Sequence, residues 1–272
     1  MVPRRRRLPA RLNAHDRNRF LATLTIEPND RVTFGLRYED DDVLVVEKPA
    51  RLVTQPGVGH EGDTLLNGLF ARWGPQLQNL GAKRDFGLVH RLDKETSGLI
   101  AVALTPSAYD HMRAQFAERK VQKRYWAICH KAPNAPEGVV RLAIEELVER
   151  KNRYTSTKTG RVVRGSADAG KAAVTAYRVL QASDLGALIE ARPVTGRLHQ
   201  VRLHLAAIGA AVVGDELYAP KNIGEAANRL CLHACRLRFD HPTTGEPVEH
   251  RSGMPKELRK VLRRLDLDAP EL

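Results

Sequence analysis

HRLDKETSGL, residues 90–99, is the stretch whose reading decides the fold. It holds a histidine, an arginine, an aspartate, a glutamate and a Thr-Ser-Gly corner, and runs directly into the apolar LIAVAL (99–104). LIAVAL reads as a buried strand by composition. Asp93, between Leu92 and Lys94, therefore stands at a strand's mouth, where an ionised carboxylate is costly unless something partners it.

Upstream, VTFGLRYEDDDVLVVEKPARLVTQPG (32–57) reads as two extended segments, with the β-branched VLVV (43–46) stopped at Lys48-Pro49. DTLLNGLFARWG (63–74) reads as a helix capped by Asp63 or Thr64, with Leu65, Leu66, Leu69, Phe70 and Trp73 on one face. The following GPQLQNLGAKRD (74–85) reads as loop. Downstream, Thr105-Pro106 opens a helix, since proline is accommodated in the first turn. Residues 119–129, 172–180 and 187–191 read as strands, and 197–208 as a helix sharing Leu198, Val201, Leu205 and Ile208 on one face. LCLHACRLRF (230–239) is a strand whose apolar phase slips between Ala234 and Leu237, as a bulge produces. A basic amphipathic helix with Leu258, Leu262 and Leu265 on one side closes the chain. Strands outnumber helices and do not alternate with them. The expected fold is α+β, a mainly antiparallel mixed sheet with flanking helices.

At 272 residues and 42% apolar composition the chain can bury a large core. No apolar run approaches the length of about 18 residues that a membrane span needs. The N-terminus MVPRRRRLPARL lacks the apolar stretch of a secretory signal, so the expectation is a cytoplasmic protein without a membrane partner. Cys129, Cys231 and Cys235 form no disulfide framework or zinc spacing and read as small buried hydrophobes. The formal charge is +12, and residues 1–20 carry seven arginines against Asp16. A second basic run contains Arg150, Lys151, Arg153, Lys158, Arg161 and Arg164 without an acid. Two separated basic blocks point to a polyanion, most often nucleic acid.

GVGHEG (57–62) has the register of a dinucleotide fingerprint, but Pro56 interrupts its approach and no parallel strand follows, so it reads as a turn. His199 and His204 are five apart and do not share a helical face. Neither a metal nor a cofactor is expected. Three segments remain, each with one polar group beside a strand: HRLDKETSG, VQKRYWAI (121–128) with Tyr125, and RPVTGRLHQVRLH (192–204) with Arg197. Alone, each is as well explained by a salt bridge, a core tyrosine or a helix-face arginine. Together, an arginine can keep the carboxylate ionised, and a tyrosine offers an aromatic face and a hydroxyl.

At these segments the chain resembles the RluA-type pseudouridine synthases. The matching strings, in that family's order, are YEDDDVLVVEKPARLVTQPG (38–57), LVHRLDKETSGLIAVALT (88–105), VQKRYWAI, GKAAVTAYRVL (170–180), RPVTGRLHQVRLHLAAIGAAVVGDELY (192–218) and LHACRLRFDHPTTGEPV (232–248). The resemblance implies a bent, mainly antiparallel sheet and an RNA isomerase that needs no cofactor. Asp93 would be the catalytic aspartate, Tyr125 the tyrosine against the uracil ring, and Arg197 the arginine paired with Asp93. Arg91 would help displace the target base, with His90 beside it. Arg4, Arg5, Arg6, Arg7, Arg150, Lys151 and Arg153 would contact RNA. Residues 1–37 would be a basic arm or the remnant of an S4-like module, and 38–272 the catalytic domain. Arg51 stands where many relatives have glycine. The implied partner is ribosomal RNA, of the large subunit, or transfer RNA, bound by a monomer.

Converting uridine to pseudouridine breaks N1–C1′, turns the base and joins C5 to C1′. One ionised carboxylate near C1′ can attack, stabilise developing positive charge or remove a sugar proton. Two other classes stand beside this one. One is a non-catalytic RNA-binding or ribosome-assembly protein on the same fold; the other is a dinucleotide-dependent oxidoreductase resting on GVGHEG alone.

Overall fold

A computed structural model of the chain describes residues 25–150, 156–163 and 170–271. Its strands are β1 (Gly35–Glu39), β2 (Val43–Lys48), β3 (Ser97–Ala103), β4 (Gln122–Cys129), β5 (Glu137–Arg141), β6 (Ala143–Arg150), β7 (Ser156–Val163), β8 (Val174–Ser183), β9 (Gly186–Pro193), β10 (Leu232–Asp240) and β11 (Pro247–Arg251). The helices are α1 (Leu65–Leu80), α2 (Pro106–Ala117), α3 (Gln200–Ala207), α4 (Lys221–Gly224) and α5 (Lys256–Arg264). Nine strands form one sheet in the order β1-β2-β3-β10-β4-β9-β8-β5, with β11 beside β10, while β6 and β7 form a separate ribbon. Among the described residues only β3 and β10 pair in parallel. The architecture is the expected mixed, mostly antiparallel α+β fold.

VLVV and LIAVA run unbroken instead of alternating because both faces of β2 and β3 are covered: Val43–Val46 and every residue of β3 are buried. The helix α2 lies on β3 and β10, and α5 on β4. Among the described residues no helix is long and apolar enough to cross a membrane. One cross-strand row organises the centre: Ala234 pairs with both Gly98 of β3 and Tyr125 of β4, and Tyr125 pairs with Ala191 of β9. The row brings the ends of the three polar segments onto adjacent strands. The bulge in β10 falls between Ala234 and Arg236, inside the slip read from sequence. Cys129, Cys231 and Cys235 are buried, and burial pushes their thiols up.

Two expectations are corrected, the extent of the first helix and the run from Arg150 to Arg164 read only as charge. The first helix is capped by Thr64 in a capping box with Asn67 and runs on through Pro75 to Leu80, where the sequence suggests a loop. It survives its proline because the backbone breaks at Trp73 (φ −123°), two residues earlier, so Pro75 stands in a fresh first turn. The boundary at residue 37 does not divide the structure. It lies inside β1, and residues before β1 are tied to α1 by Asn29 N–H to the Asn67 carbonyl (2.9 Å) and Asn67 Nδ2 to the Glu27 carbonyl (2.8 Å). The ribbon β6–β7 reads in sequence only as a charge block, because its strands show no sustained apolar alternation. Arg51 adopts φ +66°, a left-handed conformation that favours glycine.

Gly98 has φ +125°, and a Cβ there would lie 2.3 Å from the Ala234 carbonyl oxygen. Gly98→Ala is expected to force β3 and β10 apart and cost at least about 2 kcal/mol, read as a lower urea midpoint. An unchanged midpoint would mean that the parallel pair tolerates a side chain.

Candidate active site

The segment before β3 is pinned from below. The fully buried Lys48 ammonium donates to the carbonyls of Pro49 (2.9 Å), Leu52 (2.8 Å) and Lys94 (3.1 Å), and Thr54 Oγ1 donates to the Leu92 carbonyl (2.8 Å). Burial draws the Lys48 pKa down to about 7, opposed by the nearby Asp93 charge. Asp93 lies between two tethered residues, and its carbonyl accepts from Thr96 N–H (3.1 Å) to close the turn. Its carboxylate accepts no hydrogen bond among the described residues, and its side chain is 25% exposed. It faces a cavity of about 450 Å³ whose walls include Arg91, Thr96, Lys123, Tyr125, Arg197, His199 and Arg202. That volume lies within the range of small-molecule sites, about 300–1,000 Å³.

Tyr125 is buried on β4 and contributes to the same wall, and burial together with the Asp93 charge raises its hydroxyl pKa. It therefore stays neutral and offers the cavity an aromatic surface.

The arginine within ion-pair range of Asp93 is Arg202, not Arg197. Arg202 Nη1 lies 4.0 Å from Asp93 Oδ2. Arg202 is also clamped by Asp215 through Nε–Oδ2 (2.8 Å) and Nη2–Oδ1 (2.6 Å) and lies 4.9 Å from the centre of the Tyr218 ring. Burial opposes the Arg202 charge, but the Asp215 hydrogen bonds and charge outweigh it and raise the pKa. Asp215 is itself oriented by the N–H groups of Leu217 (3.1 Å) and Tyr218 (3.2 Å). Arg197 precedes the helix, and its Nε donates to the Ala172 carbonyl (3.2 Å), so it occupies the cavity wall without pairing with Asp93. The cause is local: α3 begins only at Gln200, and His199 before it adopts φ +52°. That left-handed residue turns the chain between the two arginines.

His199 completes the cluster. Its Nε2 lies 3.9 Å from Asp93 Oδ1, and its Nδ1 lies 2.7 Å from Tyr218 Oη, which accepts from Gly160 N–H (2.9 Å). The Tyr218 proton then points at Nδ1, which leaves Nε2–H facing the carboxylate, the tautomer that avoids a lone pair against an anion. Burial lowers the His199 pKa, with Asp93 working the other way. His204 instead bonds Thr175 Oγ1 (2.9 Å) and the Leu142 carbonyl (3.0 Å), away from the cluster.

Of the residues read as RNA contacts, Arg91 is exposed and borders the cavity. His90 is occupied elsewhere: Nε2 accepts from Ala101 N–H (3.0 Å), the ring lies 5.0 Å from that of Phe116, and burial draws its pKa down to about 3. A neutral histidine whose Nε2 is spent on a strand N–H packs as part of the sheet and brings no positive charge to an RNA. Arg4, Arg5, Arg6, Arg7, Lys151 and Arg153 lie outside the described residues, and Arg150 ends β6. Arg202, Asp215, His199 and Tyr218 do not stand out from the sequence. The signal is present, since RLHQVRLH and GDELY lie in one matching string, but only the fold shows that they meet.

A carboxylate with free lone pairs, an aromatic wall and a buried, clamped cation form a site for electrophilic carbon chemistry. A sequence model of the family described as RNA pseudouridylate synthase matches residues 42–207. Ribosomal large subunit pseudouridine synthase D of Zymomonas mobilis is 35% identical over 246 residues, covering 88% of this chain and 74% of that protein. An RNA pseudouridine synthase of Bacillus subtilis, described as uncharacterized, is 34% identical, covering 90% of this chain and 82% of that protein. The solved structure of human RNA pseudouridylate synthase domain containing 4 superposes with a TM-score of 0.66 at 29% identity, covering 87% of this chain and 95% of that one. With the family match spanning more than half of the chain and relatives this close along most of both lengths, the chain belongs to the RNA pseudouridylate synthase family, isomerases that act on RNA.

Proposed function

We propose that this isomerase converts uridine to pseudouridine in large-subunit ribosomal RNA, with Asp93 as the catalytic residue, in the cytoplasm. The observation that carries the reading is the Asp93 carboxylate: 4.0 Å from the Arg202 guanidinium, without a hydrogen bond among the described residues, and open to a nucleoside-sized cavity. The names of two relatives, from Zymomonas mobilis and Xanthomonas campestris, specify the ribosomal large subunit, which supports that substrate over transfer RNA.

The uridine leaves its stack, at a cost of a few kcal/mol, and lies against Tyr125, where base stacking returns about 1–3 kcal/mol. Asp93 then acts at C1′ as N1–C1′ breaks. Arg202 orients the carboxylate across the 4.0 Å between them, the part that the resemblance implies for Arg197. Asp215 holds Arg202 in place and offsets part of its charge, so that Asp93 is not locked into an ion pair. Arg197 and Arg91, at the wall and the rim, suit the RNA phosphates next to the flipped nucleotide. The basic residues 4–7 and the basic run that begins at Arg150 extend that contact.

Tritium release from RNA labelled at uridine C5 tests the reading. Wild type should release tritium from ribosomal transcripts, and Asp93→Asn should slow release at least about a thousandfold, roughly 4 kcal/mol of barrier, while still binding RNA. Release by Asp93→Asn at the wild-type rate would remove Asp93 from the chemistry, and release from transfer RNA alone would move the target. Asp215→Asn leaves Arg202 buried without its partner. It should lower both the rate and the stability, the latter by about 3 kcal/mol in urea denaturation. Replacing Arg4, Arg5, Arg6 and Arg7 with alanine should weaken RNA binding and flatten its dependence on log salt, by about 0.7–0.9 for each phosphate no longer neutralised.

A further inference from the structure

Lys123 is a cation in the cavity for which the chemistry above has no use. It stands two residues before Tyr125 on β4, and side chains at that spacing leave the same face of a strand. Both line the cavity. The Lys123 ammonium lies 5.7 Å from the centre of the Phe116 ring and makes no ion pair among the described residues. Of the arginines in the 192–204 segment, the two that line the cavity are engaged, Arg202 by Asp215 and Arg197 by the Ala172 carbonyl. Beside Lys123 stand Phe116 of α2, Tyr125 of β4 and Gly196, whose absent Cβ would lie 3.8 Å from Nζ; His90 on the segment before β3 feels its charge. The other charged or titratable groups that line the cavity are Asp93, Arg91, Lys94, Arg197, His199, Arg202 and Glu146, the last paired with Lys171 at 3.5 Å. Thr96, on the same wall, has a buried hydroxyl with no partner among the described residues. Burial alone draws the Lys123 pKa down to about 8, with no carboxylate to support its charge.

Cleavage of N1–C1′ leaves the bonding pair on the base. The departing uracil is a monoanion with its charge shared among N1, O2, O4 and C5. Carbon C5 then donates a pair to C1′, the C5 proton passes to water and N1 takes a proton up, so the base ends neutral and the sequence is redox-neutral. An anion released into a partly dehydrated cavity needs a cation aimed at it. Asp93 has the wrong sign, and Arg202 is offset by Asp215. We propose, on the isomerase reading above, that Lys123 is a catalytic residue that holds the uracil anion between cleavage of N1–C1′ and formation of C5–C1′. The sugar then lies toward Asp93 and a carbonyl edge of the base toward Lys123, with Thr96 able to bond the same edge.

The test is single-turnover tritium release from C5-labelled ribosomal RNA by wild type, Lys123→Met and Lys123→Arg, with RNA affinity and melting measured in parallel. Lys123→Met should be slower by at least about a hundredfold, with RNA affinity nearly unchanged, and Lys123→Arg should recover most of the rate. The wild-type rate should fall as pH rises through about 8, where the amine loses its proton, and that fall should be absent in Lys123→Arg. Titration of the substrate's own N3–H is common to both enzymes and cancels in the comparison. A Lys123→Met rate close to wild type, or the same alkaline fall in Lys123→Arg, would overturn the inference and leave the isomerase reading intact. If Lys123→Met fails to fold, the pH profile of Lys123→Arg decides alone. Absence of release by wild type from every transcript would overturn the isomerase reading and this inference with it.

Discussion

The site depends on one buried ammonium. Lys48 ends β2, is excluded from water, and uses its three N–H bonds on the carbonyls of Pro49, Leu52 and Lys94. An ammonium in such a place is tolerable only with every proton satisfied. The loop after β2 and the loop before β3 must therefore wrap the same point, which fixes the backbone on either side of Asp93. The hydroxyl of Thr54 on the Leu92 carbonyl acts in the same sense from the other side. Asp93 can thus remain free of hydrogen bonds without becoming free to move: its position is set by main chain and its reactivity by what enters the cavity. Groups held through their backbone in this way need little rearrangement when charge develops beside them.

The electrostatics follow from that arrangement. Arg202 near Asp93 favours the carboxylate, while Asp215, nearer to Arg202, keeps the arginine from closing a tight pair. Tyr218 packs on Arg202, donates to His199 and accepts from Gly160 on the β6–β7 ribbon. The ribbon also packs through Ile144 against Leu203 of α3. The strands that carry the second basic run are therefore attached, through one tyrosine and one helix, to the residues around the carboxylate. The short α3 is buried on nearly every side because sheet, ribbon and site each take one of its faces. The aliphatic face legible in the sequence accounts for only one of them.

Strands β2, β3 and β10 were legible because burial on two faces leaves runs that no helix of that length would show, and the β10 bulge was legible as a slip in phase. Asp93 and Tyr125 were legible for a related reason, each being a polar group that a buried strand has no other use for. Arg197 reads as the partner of Asp93 because it follows a Thr-Gly corner in the same way. What misleads is the onset of α3: a left-handed His199 moves the start of the helix past Arg197 and hands the inward position to Arg202. Backbone handedness at one non-glycine residue leaves little trace in composition or periodicity. The persistence of α1 beyond Pro75 is hidden in the same manner, since proline marks a break but not whether a helix resumes after it.

By itself the sequence determined the class of fold and the strands that form its centre, and it pointed to a polyanionic partner and to an aspartate and a tyrosine that share a cavity wall. These are local properties: apolar period, isolated polar groups and clustered charge. Only the tertiary structure decided which arginine approaches Asp93, that Asp215 restrains it, that His90 is spent on a strand N–H, and that Lys123 shares a wall with Tyr125. Each of these depends on distances between segments tens of residues apart. Those distances are set by the strand order β3-β10-β4-β9, in which the last long strand of the chain is inserted between two that precede it.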